Sequence, residues 1–231
     1  MIIKQSEING IKFFYREGTS DLKTFEEVIG RDVYQKKGMK IEAGETWYDC
    51  GGNVGAFTLL ACSKGAKVKV FEPDHYNCEM IEKNLKLNNF KAEIVCAALV
   101  HNKVKEAVLF VGNNGNVWRN SLFKNWNGRG LKIKCINFDD NFEDDICVKM
   151  DIEGGEMLIL ENTNKVFKKM VFEWSFDIDP SLNRLWNLID KQKNIYDIKF
   201  EEHRICYDDK RETQWQKSWF PACTNVFCYK K

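Results

Sequence analysis

The chain is short of several things, and each shortage narrows what it can be. Only three of the 231 residues are proline, and no Pro/Gly/Ser-rich linker, repeat or low-complexity tract interrupts the sequence. Tethered domains are therefore excluded, and one continuous domain is expected. Charge of one sign is lacking too: 35 Lys and Arg stand against 34 Asp and Glu, a formal charge of +1. A protein held to nucleic acid by its phosphates needs an excess of cations, so nucleic acid is an unfavoured partner, although a local basic patch is compatible with the sum. No apolar run approaches the ~20 residues that span a bilayer, and the stretch from Met1 to Glu7 has no signal-peptide core. The expectation is a cytoplasmic protein with no membrane span. The nine cysteines are an odd set without a C-x-x-C pair, which reads as small buried hydrophobes in a reducing compartment. Cys223, Cys228 and His203 fall short of the usual four zinc ligands, so no metal site is assigned there.

What is present is a core-forming composition, 44% hydrophobic against 30% charged, which rules out a disordered tail. The front reads as a strand at 11–16 and an amphipathic helix at 24–29 stopped by Gly30, making residues 1–45 a leading segment or lid. From Thr46, short apolar runs alternate with helical stretches, the signature of βαβ units and a mostly parallel sheet. Strands are expected at 46–49, 67–71, 92–96, 146–150, 169–173, 196–200 and 225–229, and helices at 54–63, 74–87, 155–160 and 181–192. Between the third and fourth strands, alternations at 104–111 and 131–136 predict an inserted β-hairpin. Its long tip carries Trp118, Arg119, Ser121 and Trp126, candidates for a substrate wall. Trp215, Trp219 and Phe220 read as core behind the last strand.

The densest local chemistry is Asp49-Cys50-Gly51-Gly52-Asn53-Val54-Gly55, placed after a strand and opening a helix. Such a turn needs residues without Cβ, and the helix start offers N–H groups to an anion. A dinucleotide fingerprint G-x-G-x-x-G would put glycine where Cys50 stands; the form here is D-x-G-x-N-x-G. Asp49 suits a cationic amine. Twenty-one residues past Gly51, Glu72 ends the next strand ahead of Pro73, where a carboxylate can accept both hydroxyl protons of a ribose. An amine, a carboxylate and a ribose together describe S-adenosyl-L-methionine better than a nicotinamide dinucleotide.

A further motif, Lys149-Met150-Asp151-Ile152-Glu153-Gly154-Gly155-Glu156, joins the earlier ones in order: Asp49 to Phe57, Phe71-Glu72-Pro73 with Asn84 and Asn88, then Asn137 to Asp140. With Tyr34 and Gly44 ahead of them, these stretches resemble the FkbM family of S-adenosylmethionine-dependent methyltransferases over roughly residues 25–175. The chain departs from the family pattern at Glu161-Asn162-Thr163, where a glycine is common, and little aligns beyond Glu173. The resemblance implies a Rossmann-like class I α/β fold, a seven-stranded, mostly parallel sheet with its last strand reversed and helices on both faces, filling residues 46–231. It further implies methionine-side contacts at Asp49, Gly51, Gly52, Asn53 and Gly55, a ribose contact at Glu72 beside Pro73, an adenine shelf at Ala97 and Ala98, and Asp151 near the methyl group. The expected acceptor is a sugar or glycan hydroxyl, such as that of a deoxyhexose, with the chain part of a larger glycosyltransferase-containing protein.

Methyl transfer to a hydroxyl needs alignment and a base. The candidates are Asp151, Glu153, Glu173 and His203. Glu153 and Glu156 can instead cap the following helix, and Asp151, Glu153 and Glu173 have the oxygen chemistry to hold Mg²⁺. The rival readings are an RNA or polyketide methyltransferase and an inactive cofactor-binding protein; the D/N-P-P-Y/F tetrapeptide of base-amine methyltransferases is absent.

Overall fold

The structure is a computed structural model that describes residues 2–112, 120–125, 128–175, 178–201 and 223–231. His203, Trp118, Arg119, Trp126, Trp215, Trp219 and Phe220 lie outside the described residues.

The chain opens with an antiparallel pair, β1 (Ile3–Ile8) and β2 (Ile11–Arg16), turned at Asn9 and Gly10 with positive φ at both. Helix α1 (Asp21–Phe25) widens into a π-helical turn, Glu26–Gly30. The βαβ region comes next: β3 (Thr46–Cys50), α2 (Ala56–Ser63), β4 (Lys67–Phe71), α3 (His75–Leu87) and β5 (Glu93–Val95). The insertion holds β6 (Ala98–Val100), β7 (Glu106–Phe110) and β8 (Gly130–Asn137), and a 3₁₀ turn at Asp139–Asn141 leads out of it. The second half is β9 (Cys147–Met150), α4 (Glu156–Asn162), β10 (Lys169–Ser175), α5 (Leu182–Gln192), β11 (Tyr196–Phe200) and β12 (Cys223–Lys230).

Seven strands form the main sheet in the order β11-β12-β10-β9-β3-β4-β5. β12 is antiparallel to both neighbours, and the pairs among β10, β9, β3, β4 and β5 are parallel. Each parallel crossover needs a helix, and the period-2 alternation of the strands supplies an apolar face for one on each side. Trp47, Val70 and Val171 pack with Phe57 and Leu59 of α2 and Ile81 of α3; Tyr48, Val148 and Phe172 pack with Ile159 of α4 and Leu185 and Leu188 of α5. Burying side chains of this size contributes about 1.5–3 kcal/mol each. Asp74 caps α3 by accepting from Tyr76 N at 2.9 Å, and Ser181 caps α5 by accepting from Arg184 N.

The leading segment is built into this core: Phe13, Phe25, Tyr34 and Met39 share one cluster with Trp47 and Phe57. The predicted hairpin is β7–β8, and β8 also pairs parallel to β6, a short strand that periodicity did not reveal and that begins three residues after β5 at the sheet's edge. Cysteines are mixed rather than uniformly buried: Cys50, Cys135, Cys147 and Cys228 are buried, whereas Cys96 is exposed with its sulfur 2.8 Å from that of Cys78. No helix among the described residues is long and apolar enough to cross a membrane.

Candidate active site

A cleft of about 860 Å³ opens at the carboxyl ends of β3, β4, β9 and β10, roofed by Tyr34 and Lys36 from the leading segment. Ligands of open α/β sheets bind at this edge. The alternation that buries Val70, Cys147, Val171 and Phe227 toward α2 and α3 also sets the next side chains on the same face: Glu72, Lys149, Glu173 and Asn225 all line the cleft.

The glycine turn serves the protein before any ligand. Gly51 has φ +82°, and a Cβ there would stand 1.8 Å from the Asp151 carbonyl oxygen; at Gly52 a Cβ would meet Val70 at 2.2 Å. The turn's N–H groups were expected to face an anion. Those of Gly51 and Gly52 donate instead to Phe71 O, that of Asn53 to Glu72, and that of Gly55 to Gly52 O. Asp49, expected to meet an amine, is fully buried. Its Oδ1 forms an ion pair with Lys149 at 3.1 Å, and its Oδ2 accepts from Thr58 Oγ1 at 2.7 Å. Oδ1 makes no hydrogen bond beyond this ion pair among the described residues, and Asp49 stands behind the turn, off the cleft wall. Lys149 also donates to Gly51 O at 2.6 Å. Burial pulls its ammonium down, but the charges of Asp49 and Asp151 leave it raised and charged. A lysine inside the apolar run Cys147 to Met150 was the signal for this pair.

Glu72 is buried beside Pro73, its carboxylate accepting from Asn53 N at 2.8 Å, Asp74 N at 2.9 Å and Asn77 Nδ2 at 3.3 Å. Burial pushes it up to about 7 against the pull of those N–H groups. Ala97, Ala98 and Leu99 form an apolar shelf on the same side. Asn53 also lines the cleft, and its Oδ1 is buried without a partner among the described residues.

On the other side, β9 ends at Met150, and Asp151 and Glu153, in the loop that follows, both reach the cleft. The backbone swings through Glu153 (φ +55°) and Gly154 (φ +106°), held by Ser121 Oγ donating to Glu153 O at 2.6 Å. Ser121 thus pins this loop under the hairpin. Glu156 is buried and folds back to accept from Ile152 N and Gly154 N, so it caps this turn as expected of an acidic residue at a helix start. Burial and Asp151 push it up to about 7.

Asp151 accepts a 2.7 Å hydrogen bond from Tyr34, whose hydroxyl burial and Asp151 hold well above its ordinary value. Glu173 lies nearby on β10 and accepts from Ser175 Oγ at 3.0 Å; burial, then the Asp151 charge, push it up to about 8. Asp151, Glu153 and Glu173 are thus brought to one cleft with Glu72. Among the described residues no three His, Cys, Asp or Glu side chains are grouped to hold a metal ion, so the three carboxylates whose oxygens could have held Mg²⁺ are not assembled as a metal site. Tyr34, Lys149 and Asn225 are the site residues that sequence reasoning did not assign.

Seven strands in this order, β12 reversed and the cleft at the carboxyl edge, define a class I methyltransferase fold. The methyltransferase FkbM domain description matches residues 49–196, and the chain belongs to that family. No curated protein sequence matches it. Among solved structures, precorrin-6y C5,15-methyltransferase from Geobacter metallireducens GS-15 is similar with a TM-score of 0.50 and 9% identity, covering 94% of this chain and 93% of that one. The tRNA (uracil-54, C5)-methyltransferase of Pyrococcus abyssi, solved with S-adenosyl-L-homocysteine, has a TM-score of 0.48 and 13% identity over 98% of this chain. This chain spans 43% of that protein's length.

Proposed function

We propose that the protein transfers a methyl group from S-adenosyl-L-methionine to a hydroxyl of a sugar acceptor. The observation that carries the reading is the pairing, in one cleft, of Glu173 poised near neutrality beside Asp151 with the buried carboxyl of Glu72 across the sheet edge.

The residues present fit the donor. Glu72 is fixed by three protein donors and keeps lone pairs for a ribose diol. Asn53 Oδ1, beside Glu72, is an unmet buried acceptor for a donor group of the cofactor, Gly51 and Gly52 keep the turn flat against the sheet, and Pro73, Ala97 and Ala98 offer an adenine surface. When bound, S-adenosyl-L-methionine supplies a methyl group on a cationic sulfur. The chain's own work is then alignment and proton removal. Tyr34 fixes one oxygen of Asp151, so that carboxylate has a set orientation beside the reaction centre. Glu173 takes the acceptor hydroxyl proton as the new bond forms, an effect worth roughly 10²–10⁴-fold. A base titrating near 8 suits a weakly acidic hydroxyl.

The charge of the walls supports a neutral acceptor. Among the described residues seven carboxyl groups and four cations line the cleft, and two of the cations, Lys36 and Lys149, are paired to Glu201 and Asp49. Among the described residues no surplus of cations lines the cleft to attract a polyanion such as RNA.

The test is transfer of labelled methyl from S-adenosyl-L-methionine to a panel of free and lipid-linked glycosides, with tRNA, rRNA and polyketide alcohols alongside, each with and without EDTA. Label on a glycoside oxygen supports the reading. Label on RNA alone, or on none of them despite intact donor binding, refutes it.

A further inference from the structure

One buried amide in the cleft is unused by the chemistry above. Asn225 sits on β12 directly opposite Glu173 on β10, so the two side chains share a face and their Cβ atoms stand about 4.5–5.5 Å apart. It is 7% exposed and lines the cleft. Its Nδ2 donates to Glu201 Oε2 at 3.0 Å, and Glu201 Oε1 is paired with Lys36 at 2.5 Å. An ionised carboxylate only accepts, so Glu201 fixes which end of the amide faces it and leaves Oδ1 as the opposite end. That oxygen is buried and has no partner among the described residues. A buried acceptor left unmet costs free energy unless something donates to it.

We infer that Asn225, oriented by the Lys36–Glu201 pair, is a specificity residue for an acceptor bearing two adjacent hydroxyls, one meeting Glu173 and its neighbour donating to Asn225 Oδ1. The inference rests on the methyl-transfer reading. A neutral vicinal diol fits because the two acceptor groups come from paired positions on adjacent strands, as the two hydroxyls come from adjacent carbons. An anion gains nothing from Lys36, which is held by Glu201. A lone hydroxyl satisfies Glu173 and leaves Asn225 unmet.

The test uses protein loaded with S-adenosylhomocysteine and three probes, each titrated by ligand-observed NMR: methyl α-L-rhamnopyranoside, cyclohexane-1,2-diol as both isomers, and cyclohexanol. Wild type should bind at least one diol about 10- to 100-fold more tightly than cyclohexanol, the span expected for a buried acceptor met or left unmet. Asn225→Leu should abolish that preference while leaving cyclohexanol binding and the S-adenosylhomocysteine affinity within about twofold, which also reports an intact fold. Glu201→Gln frees the amide to turn over and should weaken the preference several-fold. Equal binding of diol and cyclohexanol by wild type, no binding of any diol, or an undiminished preference in Asn225→Leu overturns the inference. Failure of wild type to bind S-adenosylhomocysteine is a different outcome; it removes the methyl-transfer reading and this inference with it.

Discussion

Lys149 offers the sharpest test of how the cofactor turn is held. Lys149 and Asp49 are both buried, their side chains 5% and 0% exposed, and the ammonium also ties down the Gly51 carbonyl at 2.6 Å. Replacing it by methionine keeps the stem's volume and removes the charge. Asp49 is then a carboxylate in the core with Thr58 as its remaining partner. Removing one member of a buried pair costs about 3–5 kcal/mol, since the other is left uncompensated. Against a typical total of ~5–15 kcal/mol this is a large fraction. With a urea slope of ~3 kcal/mol/M, the midpoint should fall by about 1–1.7 M. Asp49→Asn in the same background should recover part of the loss, giving a coupling energy of roughly 1.5 kcal/mol or more. Urea unfolding of the two single variants and the double variant measures it. A Lys149→Met cost below about 1 kcal/mol, or strictly additive effects, would refute the view that this pair supports the turn.

Gly51→Ala forces a Cβ into the Asp151 carbonyl at a positive φ, and should destabilise the protein by about 3 kcal/mol or more in thermal unfolding; a cost under 1 kcal/mol contradicts the close approach. Glu173 must be ionised to act as a base, so kcat/KM should rise with pH through about 8. The kcat profile should break lower, because the bound cationic sulfur favours the carboxylate. Since Glu173 and Asp151 interact, the break belongs to the pair, and Glu173→Gln should remove it and lower kcat about 10²-fold or more. Glu72, Glu156 and Glu173 all sit above the ordinary 4.5, at about 7, 7 and 8. Between those limits the folded protein binds more protons than the unfolded chain. Stability is therefore greatest below about 4.5 as far as these groups go, and is lost as pH rises through 7 to 8. Thermal scans of the ligand-free protein should show Tm lower at pH 8 than at pH 5.5 by several degrees, and a rise over that range would contradict the burial of these groups.

Much of the scaffold was legible because buried parallel strands and their helices leave continuous apolar runs. The strands at Lys67–Phe71 and Tyr196–Phe200 fall where periodicity put them, and the other main-sheet strands differ by one to two residues at one or both ends. β1 was missed since Lys-Gln-Ser-Glu has no buried face to create a pattern, and β6 because three residues carry no period. The motifs drew attention to Glu72 and Asp151 and the end of a strand to Glu173, all three of which line the cleft, but not to which groups would be consumed by each other. That Asp49 meets Lys149 depends on the β3–β9 register, and that Asn225 stands opposite Glu173 depends on the β10–β12 register. Neither register is written in the local sequence. Tyr34 reaches Asp151 from 117 residues away, out of a loop that no periodicity marks.

The central claim is that Glu72 and the glycine turn hold S-adenosyl-L-methionine and not a nicotinamide dinucleotide. Calorimetric titration of the protein with S-adenosyl-L-methionine, S-adenosylhomocysteine and NAD tests it most directly. Both sulfur ligands should bind, NAD should not, and Glu72→Ala should weaken binding by about 10- to 100-fold through loss of charge-assisted hydrogen bonds. Binding of NAD alone would contradict the account.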